Sequence, residues 1–99
     1  MSAVSFDGSV VVLRQERFRH IAFRHPELKN GEALILFTVA HPDEVYVDPS
    51  GAFHALKQVN EISDYLVVIY GEGYIITAYY TSDARKTRRY KSFKKLKPS

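Results

Sequence analysis

The sequence contains no cysteine, which excludes a disulfide scaffold, thiolate metal sites, iron–sulfur clusters and a cysteine nucleophile. Any chemistry must therefore rest on histidine, carboxylate, hydroxyl, lysine or arginine. No apolar run approaches the roughly 18 residues that a membrane-spanning helix needs, so no membrane partner is expected. The opening stretch MSAVSFDGSVVVL has no basic residue ahead of its short apolar run and is interrupted by Asp7. It does not read as a signal peptide, and a cytoplasmic location is expected. There is no HExxH, no closely spaced His/Asp cluster and no EF-hand loop, so neither a metal site nor a cofactor is expected. Gly71-Glu72-Gly73 lacks the following helix and lysine of a phosphate loop and reads as a turn. Internal repeats and low-complexity linkers are absent too.

What is present is enough apolar material for one core. The 99 residues, 45% hydrophobic and 13% aromatic, suit a single folded domain over residues 1–99 rather than a disordered segment. The formal charge of +3 hides an uneven distribution. Residues 1–84 hold six Lys+Arg against all eleven acids, a net −5, whereas residues 85–99 hold eight Lys+Arg and no acid, a net +8. An acidic body with a basic end points to an anionic partner for that end, the alternative being a solubilising tail.

A β-branched run, SVVVL at 9–13, predicts a short strand after Asp7-Gly8. Phe18, Ile21, Ala22 and His25 then follow helical spacing, which predicts an amphipathic helix over 15–24 that Pro26 ends, with a further turn through Glu27 and Leu28. EALILFTVA at 32–40 is apolar on every face. A buried helix capped by Asn30 and stopped before Pro42 is the favoured reading, with a buried strand as the alternative. Strands are expected at EVYVD (44–48), AFHALKQV (52–59), YLVVIY (65–70, central because apolar on both faces) and YIITAYYT (74–81), the last two joined by the glycine loop at 71–73. The expected architecture is α+β, with N-terminal helices packed on one face of a four-stranded antiparallel sheet. Alternation along the last strand places Ile75, Thr77 and Tyr79 on one face and Tyr74, Ile76, Ala78 and Tyr80 on the other.

Two constellations carry candidate chemistry. On the first helix Arg17, His20 and Arg24 fall within roughly 60° of one another at about 100° per residue. The two guanidiniums favour the neutral imidazole, the form that acts as a base; a plain solvated helix face is the alternative. His25 lies on the apolar stripe beside proline and reads first as a core or capping histidine, while His41 and His54 have no partner by spacing. The second constellation is TAYYT at 77–81, followed by Arg85, Lys86, Arg88 and Arg89. Rings that stack on unpaired bases beside guanidiniums that pair with phosphate oxygens suit RNA, although tyrosines are also common as plain sheet surface.

Three segments, ERFRHIAFRHPEL (16–28), HPDEVYVD (41–48) and YLVVIYGEGYIITAYYT (65–81), together resemble the phage-associated branch of the barnase/EndoU/colicin/RelE-like (BECR-fold) nuclease superfamily. The shared pattern is HI..RHPE, a Pro-Asp-x-Val element, a valine-rich strand and I-x-TAY. It implies N-terminal helices on a four-stranded antiparallel sheet and a metal-independent, toxin-type RNase. Carried over by position, the implied site is His20, Arg24 and His25 with Thr77 and Tyr79; Arg14 stands where a helix-capping Ser or Thr would be expected. The implied reaction is attack by the ribose 2′-OH to leave a 2′,3′-cyclic phosphate, with His20 as general acid or base and His25 as a second one or a support. Arg24 and the basic end would stabilise the phosphorane, while Thr77 or Tyr79 donates to a phosphoryl oxygen. Arg17, Tyr80, Arg85, Lys86, Arg88 and Arg89 would bind RNA, free or as ribosome-bound message or tRNA. An acidic antitoxin or immunity protein is a further candidate partner. A non-catalytic RNA- or protein-binding module is the competing reading.

Overall fold

The structure is a computed structural model and describes residues 1–60 and 62–98. The first strand signal pairs locally: β1 (Ser2–Val4) and β2 (Val10–Val12) form a two-stranded antiparallel hairpin. Helix α1 (Gln15–Arg24) follows, burying Phe18 and Ile21. Arg14 caps it in an extended conformation without a side-chain hydrogen bond, so the start is set by burial of the apolar stripe rather than by a capping residue. Pro26 ends α1 and opens a 3-10 turn, Pro26–Leu28.

Helix α2 (Glu32–Ala40) confirms the helical reading of the all-apolar run. Its N-cap is Gly31 rather than the expected Asn30, and no side chain caps it. A Cβ on Gly31 would come within 3.0 Å of a Leu28 methyl carbon and 3.1 Å of the Leu28 carbonyl oxygen, so the close approach of the 3-10 turn favours glycine there. The remaining chain builds a sheet from β3 (Glu44–Val47), β4 (Phe53–Gln58), β5 (Tyr65–Tyr70) and β6 (Ile75–Thr81). Helix α3 (Asp83–Tyr90) and strand β7 (Lys94–Lys97) complete it.

The sheet has five antiparallel strands in the order β6-β5-β4-β3-β7, not four. The fifth is Lys94–Lys97, which pairs with β3; the basic segment is thus a helix and an edge strand rather than a tail. One sequence-based face assignment also changes. Ile69 pairs with Thr77 but Tyr70 pairs with Ile75, leaving Ile76 as the extra residue of a bulge. The bulge breaks the two-residue period, so Ile75 joins Ala78 in the core on the inner face, opposite to Thr77 and Tyr79.

The two faces are covered differently. On the inner face Ala55, Leu66, Val68, Tyr70, Ile75 and Ala78 pack with Phe18 and Ile21 of α1, Ile35 and Val39 of α2, and Val11 and Leu13. On the outer face Tyr46, Leu56 and Val67 pack with Tyr90 of α3, with Tyr65, Ile69, Tyr79 and Phe93 around them. Among the described residues no helix is long and apolar enough to cross a membrane.

Candidate nucleic-acid interface

The strongest site lies where the β6 edge of the sheet meets α3. Ser82 begins α3 as an N-cap whose hydroxyl accepts from the Arg85 amide at 3.2 Å, and the Asp83 amide donates to Asp64 at 2.7 Å. With its start fixed, α3 places Arg85, Arg88 and Arg89 at i, i+3 and i+4 on one face. Lys86 and Tyr90, also four apart, turn toward the sheet. The arginine face and the end of β6 enclose an open cleft of about 520 Å³, lined by Tyr79, Tyr80, Thr81, Arg85, Arg88 and Arg89. Arg85, Arg88 and Arg89 are exposed, and three guanidiniums bordering two phenol rings make a site for a polyanion with flat groups attached.

No histidine lines this cleft, but the ring of His25 lies next to that of Tyr79, which does. His25 caps the C-terminus of α1, its amide bonded to the Ile21 carbonyl at 2.8 Å. Its ring centroid lies 6.2 Å from that of Tyr79. The side chain is 34% exposed, with Nδ1 3.7 Å from a Glu27 carboxylate oxygen, so His25 is reachable by a ligand rather than locked in the core.

His20 lies elsewhere. With Arg14, Glu16 and Arg17 it lines a separate groove of about 340 Å³ along α1, and Arg24 is exposed on the same helix and lines neither cavity. The expected convergence of His20, Thr77 and Arg85 on one cleft is therefore not found. Thr77 shares the outer face with Tyr79 but does not line the cleft. Lys86 is held away from it: its ammonium lies 2.7 Å from Glu44, whose same oxygen accepts from the Tyr46 hydroxyl, and 5.1 Å from the Tyr65 ring centroid. Both members of this ion pair are mostly buried, and Lys86 acts as a tie between α3 and β3. Its ammonium and the Tyr46 hydroxyl hold the Glu44 carboxyl below its usual range, outweighing the cost of burial.

A second polar assembly escaped the sequence reading. His54, 1% exposed on the outer face of β4, has both ring nitrogens engaged. Nε2 lies 2.8 Å from Asp48 Oδ2 and Nδ1 2.8 Å from the Tyr90 hydroxyl. Asp48 is preset by the β3–β4 turn, where its other oxygen accepts from the Ser50 hydroxyl and from the Ser50 and Ala52 amides. Those bonds and His54 hold the Asp48 carboxyl well below the usual carboxylate range. Burial pushes the His54 pKa down, opposed by Asp48 and assisted by the Arg89 charge. Tyr90 stacks on Tyr46 at 4.7 Å and meets Phe93 and His54 edge-on; burial is the main cause that pushes its hydroxyl pKa up. The partners of His54 are six and 36 residues distant, so only the folded topology reveals them.

Among the described residues no three His, Asp or Glu side chains gather as a metal site. Chemically, the cleft can bind phosphates through arginine, stack a ring on tyrosine, and move a proton through His25 at its edge. Comparison with family models, with curated proteins and with solved structures finds no match to this chain.

Proposed function

We propose that the chain is a metal-independent endoribonuclease of toxin type whose substrate lies in the arginine cleft at the β6 edge. The observation that carries this reading is the convergence of Arg85, Arg88 and Arg89 with Tyr79 and Tyr80 on one cleft, with an accessible imidazole 6.2 Å from the Tyr79 ring. The antiparallel meander β3 to β6 beneath N-terminal helices supports the BECR-like arrangement that the HI..RHPE and I-x-TAY motifs imply, with β7 as an addition. RNA carries its own nucleophile. The 2′-oxygen gives its proton to a base and bonds to phosphorus; the bond from phosphorus to the 5′-oxygen breaks; that oxygen takes up a proton. The products are a 2′,3′-cyclic phosphate and a 5′-hydroxyl.

In this cleft His25 takes the acid/base part that the sequence pattern gave first to His20, a role worth roughly 10²- to 10⁴-fold in rate. Arg85, Arg88 and Arg89 hold the scissile and flanking phosphates and offset the charge that builds on phosphorus. Thr81, which lines the cleft, supplies a hydroxyl for a phosphoryl oxygen.

The test incubates purified protein with RNA in EDTA and assays for 2′,3′-cyclic ends. Cleavage that His25→Ala abolishes and His20→Ala leaves intact is the expected result. Loss of cleavage with His20→Ala but not His25→Ala would move the chemistry to the α1 groove and overturn the assignment. A second reading, RNA binding without turnover, is favoured by one observation: no imidazole lines the cleft and His25 alone has a ring beside one of its lining residues, whereas paired proton transfer commonly uses two groups. It predicts binding that weakens steeply with salt but no cyclic ends from any RNA, free or ribosome-bound.

A further inference from the structure

We propose that the pocket between the loop at 5–9 and the loop at 71–73 is a binding site for an organic cation, a guanidinium carried on a short alkyl stem. The pocket lies at the start of β6, whereas the arginine cleft lies at its end, and the two sites stand or fall separately.

The pocket encloses about 310 Å³. Val11 and the rings of Phe53 and Tyr70, stacked at 5.3 Å, supply its apolar surface. Each loop adds one carboxylate, Asp7 from the first and Glu72 from the second. None of the lining residues is basic, and among the described residues neither carboxylate is paired with a lysine or arginine. Both loops are braced. The Ser5 amide donates to the Ser9 carbonyl, and the Val12 amide to the Gly73 carbonyl, each at 2.8 Å. Asp7 accepts from the Ser5 hydroxyl at 2.6 Å and from the Ser9 amide at 3.1 Å, and these bonds hold its carboxyl below the usual range. It is a fixed, ionised group.

Two carboxylates alone would mark only a solvated rim. The second observation is Tyr70, whose side chain lines the same pocket although the residue is 3% exposed. Its hydroxyl is buried and has no hydrogen-bond partner within the chain. Buried hydroxyls are paired as a rule, because a lone one has given up its hydration for nothing, so a partner from outside the chain is expected. Burial, and after it the Asp7 charge, push the Tyr70 pKa up to about 12; the phenol stays neutral and offers its oxygen lone pairs. A phenol oxygen and two carboxylates all accept, which calls for a ligand with several N–H donors and a positive charge. Aromatic walls favour a flat, weakly hydrated cation over a compact ammonium. A guanidinium meets both demands, and the volume, at the small end of ligand pockets, suits a head group with a short stem.

Amide chemical-shift titrations at low salt test this with n-butylguanidinium, with butylurea as its uncharged isostere, and with the peptide acetyl-Gly-Arg-Gly-amide. n-Butylguanidinium should bind saturably with a Kd on the order of a millimolar, shifting Asp7, Val11, Phe53, Tyr70 and Glu72 while Arg85 and Arg88 stay unmoved, and butylurea should not bind. Peptide binding at the same residues would identify an arginine side chain of another protein as the source of the cation; binding of n-butylguanidinium alone would identify a free small molecule. Glu72→Gln, chosen because Asp7 also organises its own loop, should weaken n-butylguanidinium about threefold. Tyr70→Phe should weaken it about threefold as well, with a melting temperature equal to or above that of the wild type, since an unpartnered hydroxyl gives the fold nothing. Absence of saturable binding, equal binding of butylurea, or unchanged affinity in Tyr70→Phe would overturn the proposal. So would a lower melting temperature in Tyr70→Phe, which would mean that the hydroxyl is bonded within the chain.

Discussion

The inner and outer faces of the sheet are built from different chemistry, and the difference separates what holds the fold from what the fold presents. Inside, apolar side chains from α1, α2 and β2, mostly aliphatic but including Phe18, close over Leu66, Val68, Ile75 and Ala78 without a charged or hydrogen-bonded anchor between helix and sheet among those core residues. Thr38, fully buried there, returns its hydroxyl to the Leu34 carbonyl of its own helix. Outside, the cover is a single basic helix whose anchors are aromatic or charged: Tyr90 on His54 and Tyr46, and Lys86 on Glu44. Apolar contact is tolerant of small shifts, whereas hydrogen bonds and ion pairs demand one geometry. The outer face therefore gives up some burial for a fixed placement of α3, and with it of the three arginines along the cleft.

Removing an inner side chain is the harshest way to test this division. Leu66→Ala, at a fully buried position, should cost about 2 to 5 kcal/mol in urea unfolding while RNA affinity per folded molecule stays unchanged. On the outer face, Lys86→Met leaves Glu44 without its closest cation and should cost about 1.5 to 3 kcal/mol. If RNA binding weakens with it, that loss should come through a displaced α3, seen as altered protection of the α3 amides in hydrogen exchange.

A gentler probe is pH. His54 has a folded pKa below its ordinary value of about 6.5, so the unfolded chain binds the proton more readily and stability rises with pH through that region. Its contribution is full above about pH 6.5 and is lost as pH falls below it, by at most about 1.4 kcal/mol per pH unit. Asp48, whose pKa is depressed, adds its own loss only at lower pH, below the ordinary carboxylate value of about 3.9. Melting curves from pH 7 to 5 should show the decline, and His54→Gln should flatten it. The smallest effect is expected at Arg17→Ala in the α1 groove, within about 0.5 kcal/mol in stability and without change in RNA affinity.

How far these features could be read beforehand follows from the range of the interactions that make them. The bounds of α1 and α2 were legible because an apolar stripe, Pro26 and Pro42 act within a few residues, and the strands β3 to β6 because β-branched and aromatic runs are bounded by turns. Helix α3 was missed although Ser82 and Asp83 mark its start, since DARKTRRY offers little apolar stripe; Tyr90 and the Lys86–Glu44 pair hold it from outside the segment. Strand β7 was missed for a similar reason: KKLK reads as a solvated tail until β3 offers it an edge. The bulge at Ile76 shifted a face assignment that alternation alone could not correct. At the site, Tyr79, Tyr80, Arg85, Arg88 and Arg89 were visible as a run along the chain. That His25 rather than His20 accompanies them depends on how the end of α1 packs against β6, and the link of Asp48 to His54 and Tyr90 depends on the sheet register.

The central claim is that one cleft, at the β6 edge, receives RNA. Amide chemical-shift changes on titration with a short single-stranded oligoribonucleotide test it most directly. Shifts gathered at His25, Tyr79, Tyr80, Thr81, Arg85, Arg88 and Arg89, with Arg14, Arg17 and His20 unmoved, are the predicted result; shifts centred on Arg14, Arg17 and His20 would contradict it.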